Sequence, residues 1–215
     1  MTSLTDKGLA GQVFFECYTW PGGPRLNRLY PKFPLKFVPI LLRYAAFGGI
    51  LAGCYGSLHD QITYSISPEY FTRFKFFQFH YLNFGLSDRV FVAEVGFLAA
   101  SPVGFFAGWF LARTTVPKLT PMLSRAYILR GFSILFIFAI IGAIIGYPLG
   151  NSPKFFSNYS NWLDMGDKLG IRDLPRFVSV AYIHNGGYIG GLIGLIVALC
   201  YARRGVKRHS SSPLK

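Results

Sequence analysis

Charged side chains are scarce in this sequence. Asp, Glu, Lys and Arg make up 14% of its 215 residues, whereas 52% of the residues are hydrophobic. Soluble domains carry about 25% charged residues. This shortage, together with several apolar runs of about 20 residues, argues against a soluble globular protein and predicts a polytopic membrane protein.

Paired cysteines are also missing. Cys17, Cys54 and Cys200 form no Cys-x-x-Cys spacing, which argues against a disulfide framework or a zinc site built on thiolates. The N-terminus shows no short apolar region followed by a small-residue cleavage site. We therefore expect no cleaved signal peptide, with the first span acting as the insertion signal.

Catalytic motifs are absent as well. The sequence contains no Gly-x-Ser-x-Gly, His-Glu-x-x-His or Glu-x-x-His spacing, so neither a serine hydrolase nor a helical metal motif is indicated. Acids are few beside the 22 Lys and Arg, which give a net charge of +13. Because these basic residues flank apolar spans, they indicate contact with lipid headgroups rather than nucleic acid.

The apolar runs predict an all-α integral membrane bundle of four helices, since backbone polar groups must be paired inside the lipid. An interfacial leader, residues 1–36, is rich in proline, aromatic and basic residues, and a basic tail, residues 202–215, follows the last span. The predicted membrane domain is 37–201, with spans at 37–58, 90–112, 127–147 and 178–201.

The distribution of basic residues predicts the orientation of the helices. The leader, the second loop and the tail carry 13 Lys and Arg, whereas the first and third loops carry seven. Because cytoplasmic segments are enriched in Lys and Arg, we expect both termini to face the cytoplasm. The first and third loops then form a cap on the outer side.

Small residues four apart occur in every span, and two loop segments are alike. Ser67–Thr72 and Ser152–Ser157 share a Ser-Pro-x-aromatic-Phe pattern. The two halves therefore read as a duplicated helical hairpin, with chance recurrence of glycine as the alternative. The small residues predict close helix packing, either within the bundle or with partner subunits. They are Gly49, Gly53, Gly104, Gly108, Gly142, Gly146, Gly190 and Gly194.

Six polar residues are expected to meet at the outer mouth of the bundle, because the spans and the first loop bring them to that edge. Ionisable groups inside spans are costly and mark candidate functional sites. A carboxylate–imidazole group of this kind can relay protons, bind a divalent metal or fix helix register as a structural network. The candidates are His59, Asp60, Glu69, Glu94, His184 and Asn185.

The segment His59–Phe79, HDQITYSISPEYFTRFKFFQF, resembles a loop motif of small four-span bacterial membrane proteins. The likeness covers mainly this segment and, weakly, residues 183–185. It implies a bacterial inner membrane location, and it implies no activity.

These observations leave three roles open. A structural or accessory subunit of a larger inner-membrane complex is favoured by the glycine-rich fourth span and the missing catalytic motif, and its partners would be lipid and other subunits or further copies of the chain. A small oligomeric ion- or proton-coupled transporter would use the outer cluster. A membrane metalloenzyme would hold a metal there, and otherwise we expect no cofactor.

Overall fold

The computed structural model describes residues 34–152 and 159–210. Most of the predicted leader, the second Ser-Pro segment from residue 153 to 157, and the end of the tail therefore lie outside the described residues.

Four long α-helices form the domain: α1 (Val38–Ile66), α2 (Asp88–Thr115), α3 (Pro121–Asn151) and α4 (Leu174–Ser210). Each is long and apolar enough to cross a membrane. The described segments contain no strand, so the predicted all-α class is confirmed. The chain has the architecture of a multi-pass integral membrane protein.

The helices extend beyond the predicted apolar spans. α1 continues about two turns past Leu58 because neither proline nor glycine intervenes before Pro68, and the residue preceding a proline disfavours helix. His59 and Asp60 therefore lie inside a helix rather than in a loop. α4 has 37 residues, about 55 Å, which exceeds a hydrocarbon core of about 30 Å.

Helices α1 and α2 form one closely packed antiparallel pair. Gly48 lies against Gly104 and Gly56 lies against Gly96, so closely that a Cβ on either glycine would overlap the carbonyl oxygen of its partner. Gly108 meets the carbonyl oxygen of Tyr44 in the same way. These contacts are four or eight residues apart along each helix, because residues i, i+4 and i+8 lie near one helix face.

Helices α3 and α4 form a second pair with the same packing. Gly142 lies against Gly186, and Gly146 and Gly190 approach the carbonyl oxygens of Tyr182 and Phe138. The contacts between the two pairs are far sparser. The molecule is therefore built from two tight hairpins, with looser packing and a cavity between them.

The loop after α1 folds over one end of the bundle. Short helical turns occupy residues 68–78 and 80–82, and we call residues 68–82 the cap segment and this end the cap end. Tyr70 and Phe71 are buried against α2 and the start of α4. Trp162, from the short helix Tyr159–Leu169, packs on the same cluster. The first and third loops thus both cover this end.

Candidate functional site

Three of the six predicted polar residues meet inside the bundle near the cap end. Nε2 of His184 on α4 lies 3.1 Å from Oδ1 of Asp60 on α1. The His59 ring lies edge-on to the His184 ring, with centroids 5.1 Å apart. Asp60 and His184 are each 6% exposed. We call His59, Asp60 and His184 the polar triad.

Hydrogen bonding defines how His184 is protonated. Its Nδ1 lies 2.9 Å from the carbonyl oxygen of Val180, one turn earlier in α4. A carbonyl only accepts, so Nδ1 carries a proton and donates it. The short distance from Nε2 to Asp60 then requires a second proton between those two atoms. This proton belongs either to the imidazole or to the carboxyl group, so the pair is neutral overall.

Aromatic rings hold both imidazoles in place. Tyr70 of the cap segment stacks on His184, with ring centroids 5.0 Å apart and planes inclined by 24°. Tyr55, one turn before His59 on α1, stacks on the His59 ring at 5.7 Å. The cap segment therefore closes over the polar triad and restricts the orientation of its rings.

The polar triad lies at one end of a cavity of about 320 Å³ between the two hairpins. All four long helices contribute to its lining, which is almost entirely apolar away from the triad and its neighbours. The walls include many small residues, among them Ala52, Gly96, Ala99, Ala139 and Gly191. The volume falls within the range of ligand pockets, roughly 300–1,000 Å³.

One cation from the cap segment borders the same cavity. Lys75 lines it beside Asp60, and its Nζ lies 5.8 Å from the ring centroid of Tyr70. Burial lowers the pKa of the Lys75 ammonium group, and the Asp60 carboxylate partly offsets this effect. Burial also raises the pKa of the Tyr70 hydroxyl, with Tyr188 and Asp60 contributing in the same direction.

Glu69 has a different position from the one predicted. Its carboxylate accepts hydrogen bonds from the backbone N–H groups of Arg172 and Asp173, at 3.1 and 2.9 Å, just before α4 begins. Charge-assisted bonds of this kind are stronger than neutral ones. Glu69 therefore fastens the cap segment to the start of α4, and it does not join the polar triad.

Glu94 and Asn185 also lie outside the polar triad. Glu94 is half-buried on α2, and its Oε2 is buried without a hydrogen-bond partner in the described segments. Asn185 is exposed and lines a separate groove between α3 and α4, together with Asn161 and Trp162. The sequence placed Glu69, Glu94 and Asn185 at the correct end of the bundle, but it could not show which way each side chain faces.

The eight glycines predicted for helix packing all lie at contacts between helices. Gly104, Gly108, Gly142, Gly146, Gly190 and Gly194 meet the backbone of the partner helix within their own hairpin. Gly49 and Gly53 lie against Ser101 and Phe97 of α2, while the closest backbone contact of α1 is made by Gly48 and Gly56.

Sequence reasoning missed Lys75, Tyr55 and Tyr188 as neighbours of the polar triad. Tyr55 and Tyr188 each stand four residues from a triad histidine, a spacing that places them on the same helix face. That spacing is a signal that could have identified both tyrosines. Nothing in the sequence indicated that Lys75 would fold back over α1.

Comparison with family models, with curated proteins and with solved structures finds no significant match to the chain. The chemistry of the site is therefore inferred from its own geometry.

Proposed function

We propose that this membrane protein binds a small amphipathic molecule in the cavity between its two hairpins. One observation carries the proposal: a buried Asp60–His184 pair lies at the end of an otherwise almost apolar cavity of about 320 Å³. Sites in helical bundles are commonly built from inward-facing side chains of this kind. The polar head of the ligand would contact the triad, and its apolar part would lie along the alanine and glycine walls.

The cost of burying polar groups supports this role. Buried imidazole and carboxylate groups are expensive in a membrane interior and are retained where they pair or bind a ligand. Asp60 and His184 are hydrogen-bonded to each other, whereas the His59 imidazole makes no hydrogen bond within the described residues. A bound ligand with a polar head would give His59 a partner.

The cavity can be filled without disturbing helix packing. Gly191 lines it, and a Cβ there would meet only Ala139, at 3.9 Å. Gly191→Leu therefore places a side chain in the cavity, and the loss of a helical glycine is itself favourable by about 1 kcal/mol. Ile196→Phe is the matched control, since Ile196 is 56% exposed and does not line the cavity.

The test is native mass spectrometry of the protein purified in mild detergent, with extraction and identification of co-purifying small molecules. We expect one class of amphiphile with the wild type and with Ile196→Phe, and at least a tenfold lower occupancy with Gly191→Leu. Equal occupancy in all three proteins, or no co-purifying molecule in the wild type, would contradict the proposal.

Proton-coupled transport is a second candidate, favoured by the proton that Asp60 and His184 share. A ligand entering or leaving the cavity could exchange that proton with the pair. Asp60→Asn keeps a hydrogen-bonding group but removes the exchangeable acid. A proton-flux assay in vesicles would then show transport in the wild type and its loss in this variant, whereas wild-type vesicles without flux would exclude this candidate.

The structural-subunit role also stays a prediction. Ile189, Ile193 and Ile196 form part of an exposed apolar surface on α4, which can contact lipid or the helix of another subunit. Stoichiometric protein partners in the same purification, with no small molecule in the cavity, would favour that role over ligand binding. We place the protein in a bacterial inner membrane, as the resemblance of the His59–Phe79 segment implies.

A further inference from the structure

We propose that His59, Asp60 and His184 hold a divalent transition-metal ion. One imidazole nitrogen from each histidine and one carboxylate oxygen of Asp60 lie within 4.8 Å of one another. Ligand atoms bound to one ion at about 2.1 Å lie roughly 3–4 Å apart, so small side-chain rotations close the site. Two imidazoles and one carboxylate suit iron, zinc, cobalt and similar ions better than magnesium or calcium.

His184 has the surroundings of a metal ligand. Its Nδ1–H donates to the carbonyl oxygen of Val180 at 2.9 Å, which leaves Nε2 directed at the site. Histidine ligands usually donate their other ring N–H to a backbone carbonyl or a carboxylate in this way, because the bond fixes tautomer and orientation. The stacked Tyr70 ring further limits rotation of the imidazole.

His59 supplies the observation that a simple Asp60–His184 pair does not explain. Its ring is half-buried, borders the cavity and contacts both Tyr55 and His184. No hydrogen bond to this imidazole occurs among the described residues, so its nitrogens are available to a ligand. A metal ion held by His59, Asp60 and His184 would give one nitrogen of the His59 ring a partner. His59 would then serve as the third ligand of the ion.

The local charge indicates what else the ion would bind. A divalent ion, one carboxylate and the nearby Lys75 ammonium leave an excess of positive charge in a buried site. All three ligands border the cavity, so the remaining coordination positions open toward it. An anionic oxygen, from hydroxide or from the acidic head group of a ligand, would balance the charge. Binding of such a head group rests on the function proposed above, whereas the metal site itself does not.

The first test is titration of the metal-stripped protein with Co²⁺, following the visible absorption of the bound ion and the bound metal by elemental analysis. We expect one equivalent of cobalt, with affinity reduced at least tenfold by His184→Ala and by His59→Gln. The matched control is His80→Ala, because His80 is exposed in the cap segment. His59→Gln removes no hydrogen bond seen in the described residues, so this variant is expected to fold. It therefore still tests the metal site if His184→Ala does not fold.

Lys75 offers a second readout with a defined sign. Lys75→Met removes a positive charge near the ion and should tighten Co²⁺ binding by about threefold to tenfold, whereas Lys75→Arg keeps the charge and should not tighten it. Co²⁺ binding that His59→Gln leaves unaltered, or that Lys75→Met weakens, would overturn the metal site. Gly191 lies about two turns from His184 along α4, so Gly191→Leu should lower amphiphile occupancy at least tenfold and leave the Co²⁺ ligands in place. The two proposals can therefore fail separately.

Discussion

At the scale of single residues, the Asp60–His184 pair determines what the interior of the bundle can hold. Both side chains are almost fully buried. Each provides the other with a hydrogen-bond partner that neither lipid nor an apolar side chain could provide. Removing one member leaves the other without its partner, so the second removal should cost less than the first.

A double-mutant cycle tests that argument. We expect Asp60→Ala and His184→Ala each to lower the free energy of unfolding by about 1–3 kcal/mol. The double variant should lose less than the sum, with a coupling energy of about 1 kcal/mol. Denaturant unfolding of the four proteins in detergent gives the measurement, and strictly additive losses would show that the pair does not act as a unit.

At the scale of elements, each hairpin depends on glycines that let two helix backbones touch. Association in lipid is driven by such packing, because lipid is as apolar as the helices themselves. The same helix α4 carries glycines of two kinds. Gly186 and Gly190 meet the backbone of α3, while Gly187 and Gly191 border the cavity and have space around them.

Two alanine substitutions separate these kinds of glycine. Gly142→Ala places a Cβ on the carbonyl oxygen of Gly186, so we expect a loss of stability of about 1–3 kcal/mol from overpacking. Gly191→Ala meets no such contact and should be neutral or stabilising by up to about 1 kcal/mol. Both changes gain the same helix propensity, so the difference between their thermal unfolding temperatures isolates packing. Equal effects would mean that the hairpin tolerates separation of α3 and α4.

At the scale of the whole molecule, an even number of spans places the two ends of the described domain on the same side of the membrane. The basic residues predict that this side is the cytoplasm. The cap segment, the polar triad and the short helix Tyr159–Leu169 would then lie toward the outer side, and a ligand or metal would reach the triad from there.

Cysteine labelling tests this orientation. In a protein whose native cysteines are replaced by serine, Phe84→Cys reports on the cap end, because Phe84 is 72% exposed. Lys118→Cys reports on the opposite end, between α2 and α3. A membrane-impermeant maleimide added to intact bacterial cells should label the first variant, and the second only after permeabilisation. The reverse pattern would invert the topology.

The sequence by itself determined the fold class, the number of candidate spans and the end of the bundle where the polar triad lies. These properties follow from local quantities: the length and apolarity of each run, the residues that stop a helix, and the placement of polar groups along it. His184 was found in this way, because an ionisable residue inside an apolar span stands out in a sequence. His59 and Asp60 were found as the polar residues that directly follow the predicted first span.

Only the tertiary structure decided which of these polar residues meet. Span positions fix the depth of a residue but not its helix face, and the face depends on the register of the α1–α2 and α3–α4 contacts. That register sends Asn185 to an outer groove and brings His184 to Asp60, while the fold of the cap segment turns Glu69 to the start of α4. The cavity arises in the same way, since it lies where two tightly packed hairpins meet with sparser contacts, and no single span encodes that space.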